Sequence, residues 1–136
     1  MGRGMVLIST YVELCVNFRI KDALGSIDGL VNIAGGFRWE KVADGSVDTW
    51  DLLYRMNVRT TLIASRAALS LFPVGGGSIV NIGAAAAQKA GLGMGAYAAS
   101  KAGVARLTES LAELAPEFRS LLRFGRRQAP RSTRHH

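Results

Sequence analysis

Residues 75–114 read GGGSIVNIGAAAAQKAGLGMGAYAASKAGVARLTESLAEL, and the fold is read outward from them. Ile79, Val80 and Ile82 are β-branched and apolar, with only Asn81 among them. That is the pattern of a strand covered on both faces. The run that follows is mostly Ala and Gly, which permits close backbone approach and unusual dihedrals. Val104, Leu107, Leu111 and Leu114 then recur at three- and four-residue steps, the signature of an amphipathic helix. A buried strand, a small-residue loop and a helix in that order predict an α/β fold with a parallel sheet.

Tyr97 and Lys101 are four residues apart, so on that helix they share one face. A phenol with a pKa of about 10 is a poor acid at neutral pH. A cation held beside it stabilises the phenolate and brings the group towards a useful range. Most Tyr–Lys pairs at this spacing only pack and solvate, so the pair carries no function without its neighbours.

The neighbours change that reading. YAASK (97–101) preceded by VNIGA (80–84) resembles the active-site segment of the short-chain dehydrogenase/reductase family, the tyrosine-dependent NAD(P) oxidoreductases. Upstream, IDGLVNIAG (27–35) is similar to the family's strand ending in Asn-x-Ala-Gly. Trp50-Asp51 followed by Met56-Asn57-Val58 resembles the helix that carries the family's catalytic Asn, and Gly77–Ile82 the next strand. The match covers about residues 23–114. It implies that Tyr97 is the general acid/base, that Lys101 lowers its pKa and binds the nicotinamide ribose, and that Asn57 supports a proton relay through a water on a kinked helix. It also implies that Asn32, Ala34 and Gly35 line the cofactor, NAD or NADP. Without the resemblance, Asn57 is a buried amide bonded to nearby backbone.

One departure bears on the chemistry. Where most members carry a serine that holds the substrate carbonyl, this chain has Ala84, followed by Ala85, Ala86 and Ala87. Losing one such hydrogen bond costs on the order of a hundredfold in rate. Dihydropteridine reductases share the alanine, a Gly-Met before the tyrosine and an aromatic after Ala-Gly-Gly; here these are Ala84, Gly93-Met94 and Phe37. The likeness adds a pterin-like ring to carbonyls and alcohols as expected substrates. Phe37 and Trp39, on the loop after the first motif strand, are placed to meet a planar substrate or to cap the edge of the core.

The chain has 136 residues, 49% apolar and 20% charged, a composition of one soluble globular domain. Its single cysteine, Cys15, cannot form an internal disulfide, which fits a reducing cytoplasm. Residues 67–88 hold no charge, but Pro73, Gly75–Gly77 and Asn81 break them into a helix end, a turn and a strand rather than a membrane span. No metal-ligand cluster is read.

Residues 1–118 hold eleven Lys/Arg against ten Asp/Glu, so +6 of the net +7 lies in residues 119–136, which have six Arg and no acid. We read 1–118 as a partial Rossmann-like doubly wound parallel sheet of two or three strands and 119–136 as a basic, disordered tail. The family's glycine-rich phosphate turn is not legible in residues 1–24, where a helix from about Ser9 to Gly25 is expected. The fold is therefore expected to lack the N-terminal cofactor-binding βαβ unit and the C-terminal strands, with weak cofactor binding and weak or no activity. The alternative is a non-enzymatic remnant: an interaction module, or a gene-fragment product with an out-of-frame tail. Open sheet edges predict homo-oligomers or pairing with a full-length relative. An arginine-rich nucleic-acid arm is the third reading, and the lack of interleaved aromatics argues against it.

Overall fold

A computed structural model describes residues 22–114 in full, together with the backbone of two further strands, Met5–Ile8 and Arg119–Phe124. Most of the helix expected from about Ser9 to Gly25, with Cys15, lies outside the described residues, which give its end as helical at 22–24. Residues 1–4, 115–118 and those beyond 124 lie outside them too.

Four parallel strands form one sheet in the order β1–β2–β3–β4: β1 (Met5–Ile8), β2 (Gly29–Asn32), β3 (Ser78–Gly83) and β4 (Arg119–Phe124). Register pairs Leu30 with Ile79 and Asn32 with Asn81, and then Ile79 with Ser120. Two findings correct the sequence reading of two or three strands. A strand precedes the first motif strand, and the stretch assigned to a disordered tail begins with six residues paired to β3. The sheet remains a part of a Rossmann-like α/β fold.

Between β2 and β3 the chain makes α1 (Val47–Leu53), a π-helical turn (Tyr54–Arg59) and α2 (Thr60–Leu69); between β3 and β4 it makes α3 (Gly95–Ala112). Ser46 caps α1, its Oγ accepting from the Asp48 N–H at 3.1 Å. The helix widens where the Thr60 N–H reaches the Arg55 carbonyl instead of the one a turn away. Threonine hydroxyls take up carbonyls there: Thr60 Oγ1 donates to Arg55 O at 2.9 Å, and Thr61 Oγ1 to Asn57 O at 2.7 Å. Leu114, counted as the last apolar position of α3, is exposed beyond the helix end.

Sequential parallel strands joined by right-handed crossovers bring their helices to one face. Accordingly α2 packs on β2, α3 on β3 and β4, and α1 on α3. Burial alternates along β3: Ile79, Asn81 and Gly83 are buried, whereas Ser78, Val80 and Ile82 are half-buried. The strand expected to be covered on both faces is thus fully covered on one. The core on that face joins Ile27, Leu30, Ile79, Ala64, Ala68, Leu71 and Leu111. It also holds a polar ladder. Asn32 Nδ2 donates to Asn81 Oδ1 at 2.8 Å and to Ser65 Oγ at 3.3 Å, and Asn81 Nδ2 donates to Thr108 Oγ1 at 2.9 Å. These bonds tie β2 and β3 to the helices above them, which fixes where α3 sits.

Candidate active site

Two loops leave the carboxyl ends of adjacent strands, residues 33–46 after β2 and 84–94 after β3, and α3 rises from the second. In parallel sheets that edge forms the ligand crevice. Tyr97 lies in the first turn of α3, half-buried, and Lys101 follows one turn later, buried. The Lys101 Nζ sits 6.0 Å from the Tyr97 ring centroid and donates to Ile82 O at the end of β3 at 3.0 Å. That bond uses one of three ammonium donors.

The sequence reading has Lys101 lowering the Tyr97 pKa, and in this geometry burial acts the other way on both groups. It pushes the Tyr97 phenol above its ordinary range and the Lys101 ammonium below its own. Burial thus favours the protonated phenol at pH 7.

Asn57 is 1% exposed and lies in the π-helical turn. Its Oδ1 accepts from the Gly36 N–H at 2.8 Å, and its Nδ2 donates to Gly36 O at 3.1 Å and to Ser100 Oγ at 2.8 Å. Ser100 in turn donates to Tyr97 O at 2.8 Å. The amide thus clamps the loop after β2 to the start of α3. A methyl group added at Gly35 would stand 2.7 Å from Asn57 Oδ1 and 3.5 Å from Lys101 Nζ. The missing side chain at Gly35 leaves a small cradle between those two polar groups.

The remaining predicted positions divide. Gly35 is exposed at the site, and Ala34 is half-buried against the core cluster. Asn32, expected to line the cofactor, is 4% exposed with its amide spent on Asn81 and Ser65, so its side chain belongs to the core. Ala84 opens a tight turn in which the Ala87 N–H reaches the Ala84 carbonyl at 2.9 Å. No hydroxyl stands in residues 84–87.

Phe37 meets Tyr97 edge to face, with centroids 4.9 Å apart and planes at 87°. Trp39 is placed differently. Its indole lies on the backbone of Gly93, which has φ +74°, and a side chain there would run into the ring. The adjacent Glu40 N–H donates to Gly93 O at 2.8 Å. Hydrogen bonds from the Thr49 hydroxyl and the Ser46 N–H hold the Glu40 carboxyl below its usual range. Ser100, Gly36 and Glu40 have no assigned role in the sequence reading, where Ser100 stands within the YAASK motif and Gly36 within Ala-Gly-Gly.

Among the described residues no group of three or more His, Cys, Asp or Glu side chains could hold a metal ion, and no helix is long and apolar enough to cross a membrane.

Comparison with known proteins places the site in context. The family model described as short chain dehydrogenase matches residues 12–118. The chain is 41% identical over 91 residues to the inactive 2-(S)-hydroxypropyl-CoM dehydrogenase 2 of Xanthobacter autotrophicus, spanning 66% of this chain and 40% of that protein. It is 37% identical over 93 residues to 2-(S)-hydroxypropyl-CoM dehydrogenase 3 of the same organism, with 68% and 36% covered. A short chain dehydrogenase from Burkholderia cenocepacia, solved in complex with NADP, superposes with a TM-score of 0.72 at 36% identity, covering 79% of this chain and 45% of that one. A second, from Mycobacterium smegmatis, gives 0.74 at 30% identity with 82% and 48% covered. The chain spans less than half the length of each of these relatives.

Proposed function

The chain belongs to the short-chain dehydrogenase family, and we propose that its site works in NAD(P)-dependent oxidoreduction of a carbonyl, an alcohol or a pterin-like ring, with Tyr97, Lys101 and Asn57 in the roles the family motifs imply. The observation that carries this reading is the placement of Lys101. It is a buried ammonium, anchored by one bond to Ile82 O and facing the Gly35 cradle, with Tyr97 on the same helical face.

The residues present fit the nicotinamide-ribose end of such a cofactor. Lys101 has donors left for ribose hydroxyls, and Gly35 offers an approach that any side chain would fill. When bound, NAD(P) supplies or accepts the hydride. Tyr97 does the proton work: its neutral phenol donates to the substrate in reduction, and its phenolate takes that proton back in oxidation. Lys101 brings positive charge towards the phenolate that donation leaves. Asn57 keeps the Gly36 loop and the start of α3 at a fixed spacing, which holds the surroundings of the proposed relay in place. With Ala84 in place of a hydroxyl, turnover of a simple ketone falls by on the order of a hundredfold relative to a serine-bearing site. Weak activity is the expected outcome.

A second reading rests on the half-buried second face of the sheet, where Val31, Val80 and Ile82 are incompletely covered. There the chain acts as an interaction module, pairing with itself or with a full-length relative.

Calorimetric titration of the purified chain with NADH and NADPH tests the first reading. Micromolar binding that Lys101→Met abolishes, with turnover lost in Tyr97→Phe, supports it. No heat of binding with either nucleotide, from a chain that melts cooperatively, overturns it.

A further inference from the structure

We propose that Phe37 is the residue that selects substrate at this site, forming an apolar wall beside Tyr97 for a planar aromatic or conjugated carbonyl compound. The proposal rests on the reading of Tyr97 as the proton donor and adds to it the class of molecule admitted.

Phe37 places its ring against Tyr97 at 4.9 Å and 87°, yet remains 53% exposed. Part of the ring is therefore committed to the tyrosine while the rest is open beside the phenol. An aromatic ring in that position offers a new ring its face or edge, arrangements that favour aromatic over saturated guests.

The wall is held from both sides. Before it, the Gly36 peptide is fixed by Asn57 through two hydrogen bonds. After it, Trp39 lies on Gly93 and the Glu40 N–H bonds to Gly93 O at 2.8 Å. The Glu40 carboxylate is in turn tied to the Ser46 N–H at 2.9 Å, at the start of α1. Phe37 thus sits between two pinned points, so little loop ordering is left for a ligand to supply. Trp39 is as exposed, at 56%, but its indole lies on Gly93 and it is Phe37 whose ring meets Tyr97.

The chemistry of the other motif positions agrees. Ala84 brings no hydroxyl and Gly35 no side chain. The polar hold on a substrate then comes from the Tyr97 hydroxyl, and the remaining affinity must come from apolar contact. A ligand with a flat apolar body and one acceptor oxygen satisfies both.

The test uses two ketones of matched size that differ in aromaticity, acetophenone and cyclohexyl methyl ketone, titrated against the full chain by protein-observed NMR. The aromatic ketone should bind about tenfold more tightly, and Phe37→Ala should bring the two affinities to within about twofold. Phe37→Leu keeps apolar bulk at an exposed position where folding is not at risk, and should also lose the preference. Tyr97→Phe should weaken both ketones while leaving their ratio in place. Equal affinities in the unmodified chain, a ratio indifferent to Phe37→Ala, or no binding of either ketone at millimolar concentration would overturn the proposal. The NADH and NADPH titration reports on the oxidoreductase reading in a separate measurement, so failure of the one is distinguishable from failure of the other.

Discussion

Asn57 and Gly36 close a two-point hydrogen bond, amide to peptide, 21 residues apart in the chain: Gly36 N–H to Oδ1 at 2.8 Å, and Nδ2 to Gly36 O at 3.1 Å. Every polar atom of the buried side chain is used, since Nδ2 also reaches Ser100 Oγ. This pairing joins the loop that carries Phe37 to the helix that carries Tyr97 and Lys101. It is the mechanical centre of the candidate site.

Removing it should be costly. Asn57→Ala leaves the half-buried Gly36 N–H and carbonyl without their partner, while Ser100 keeps its bond to Tyr97 O. Unsatisfied groups of that kind cost about 1–3 kcal/mol each. Urea unfolding should show a lowered midpoint and an unfolding free energy reduced by at least one such increment. An unchanged midpoint would mean that water replaces the amide without loss.

A methyl group at Gly35 attacks the same pairing from the other side. In Gly35→Ala the new Cβ would lie 2.7 Å from Asn57 Oδ1, so the amide must move off its Gly36 donor. Overpacking of this kind costs about 1–3 kcal/mol. Gly75→Ala is the control, because nothing lies within 4 Å of a side chain there and its φ is not positive. A melting comparison should show a loss for the first and almost none for the second.

Lys101 gives a pH dependence whose sign follows from burial. Its folded-state pKa is pushed below the ordinary lysine value, so between those two values the unfolded chain holds the proton that the folded chain has released. Stability therefore rises with pH across that window and is level below it. Lys101→Met removes the buried charge, so the variant should melt higher than the parent at neutral pH, and the gap should close as pH climbs towards the ordinary lysine value. A gap that widens with pH would contradict burial as the cause.

The ladder in the core makes a coupling prediction. Asn81 Nδ2 donates to Thr108 Oγ1 at 2.9 Å, with Asn81 0% exposed and Thr108 4% exposed. Thr108→Val keeps the shape and removes the acceptor. A double-mutant cycle with Asn81→Ala should give a coupling energy of about 1 kcal/mol. Additive single effects would show that the bond contributes nothing net.

Much of the site was legible before any coordinates. The four-residue spacing of Tyr97 and Lys101, the apolar strand before them and the Asn-x-Ala-Gly and Met-Asn-Val runs are local patterns, and the structure brings them together at one edge of the sheet. The helix that carries Asn57 was legible from its motif, and its end from Pro73 and the glycines after it. Asn57 was readable as buried because its neighbours are apolar, but its partner was not, since Gly36 is distant in sequence.

What the sequence by itself determined is therefore the periodic and the local: which of the motif segments are strand or helix, which helix face carries the tyrosine and lysine, and that no hydroxyl stands in residues 84–87. The tertiary structure alone decided the rest. It paired β4, whose arginines read as a solvated tail, because strand pairing is made by backbone groups across the sheet and is indifferent to that composition. It sent the Asn32 amide into the core and separated Phe37, which touches Tyr97, from Trp39, which covers Gly93. It also set the direction in which Tyr97 and Lys101 titrate, because burial is a property of everything packed around them and no spacing encodes it.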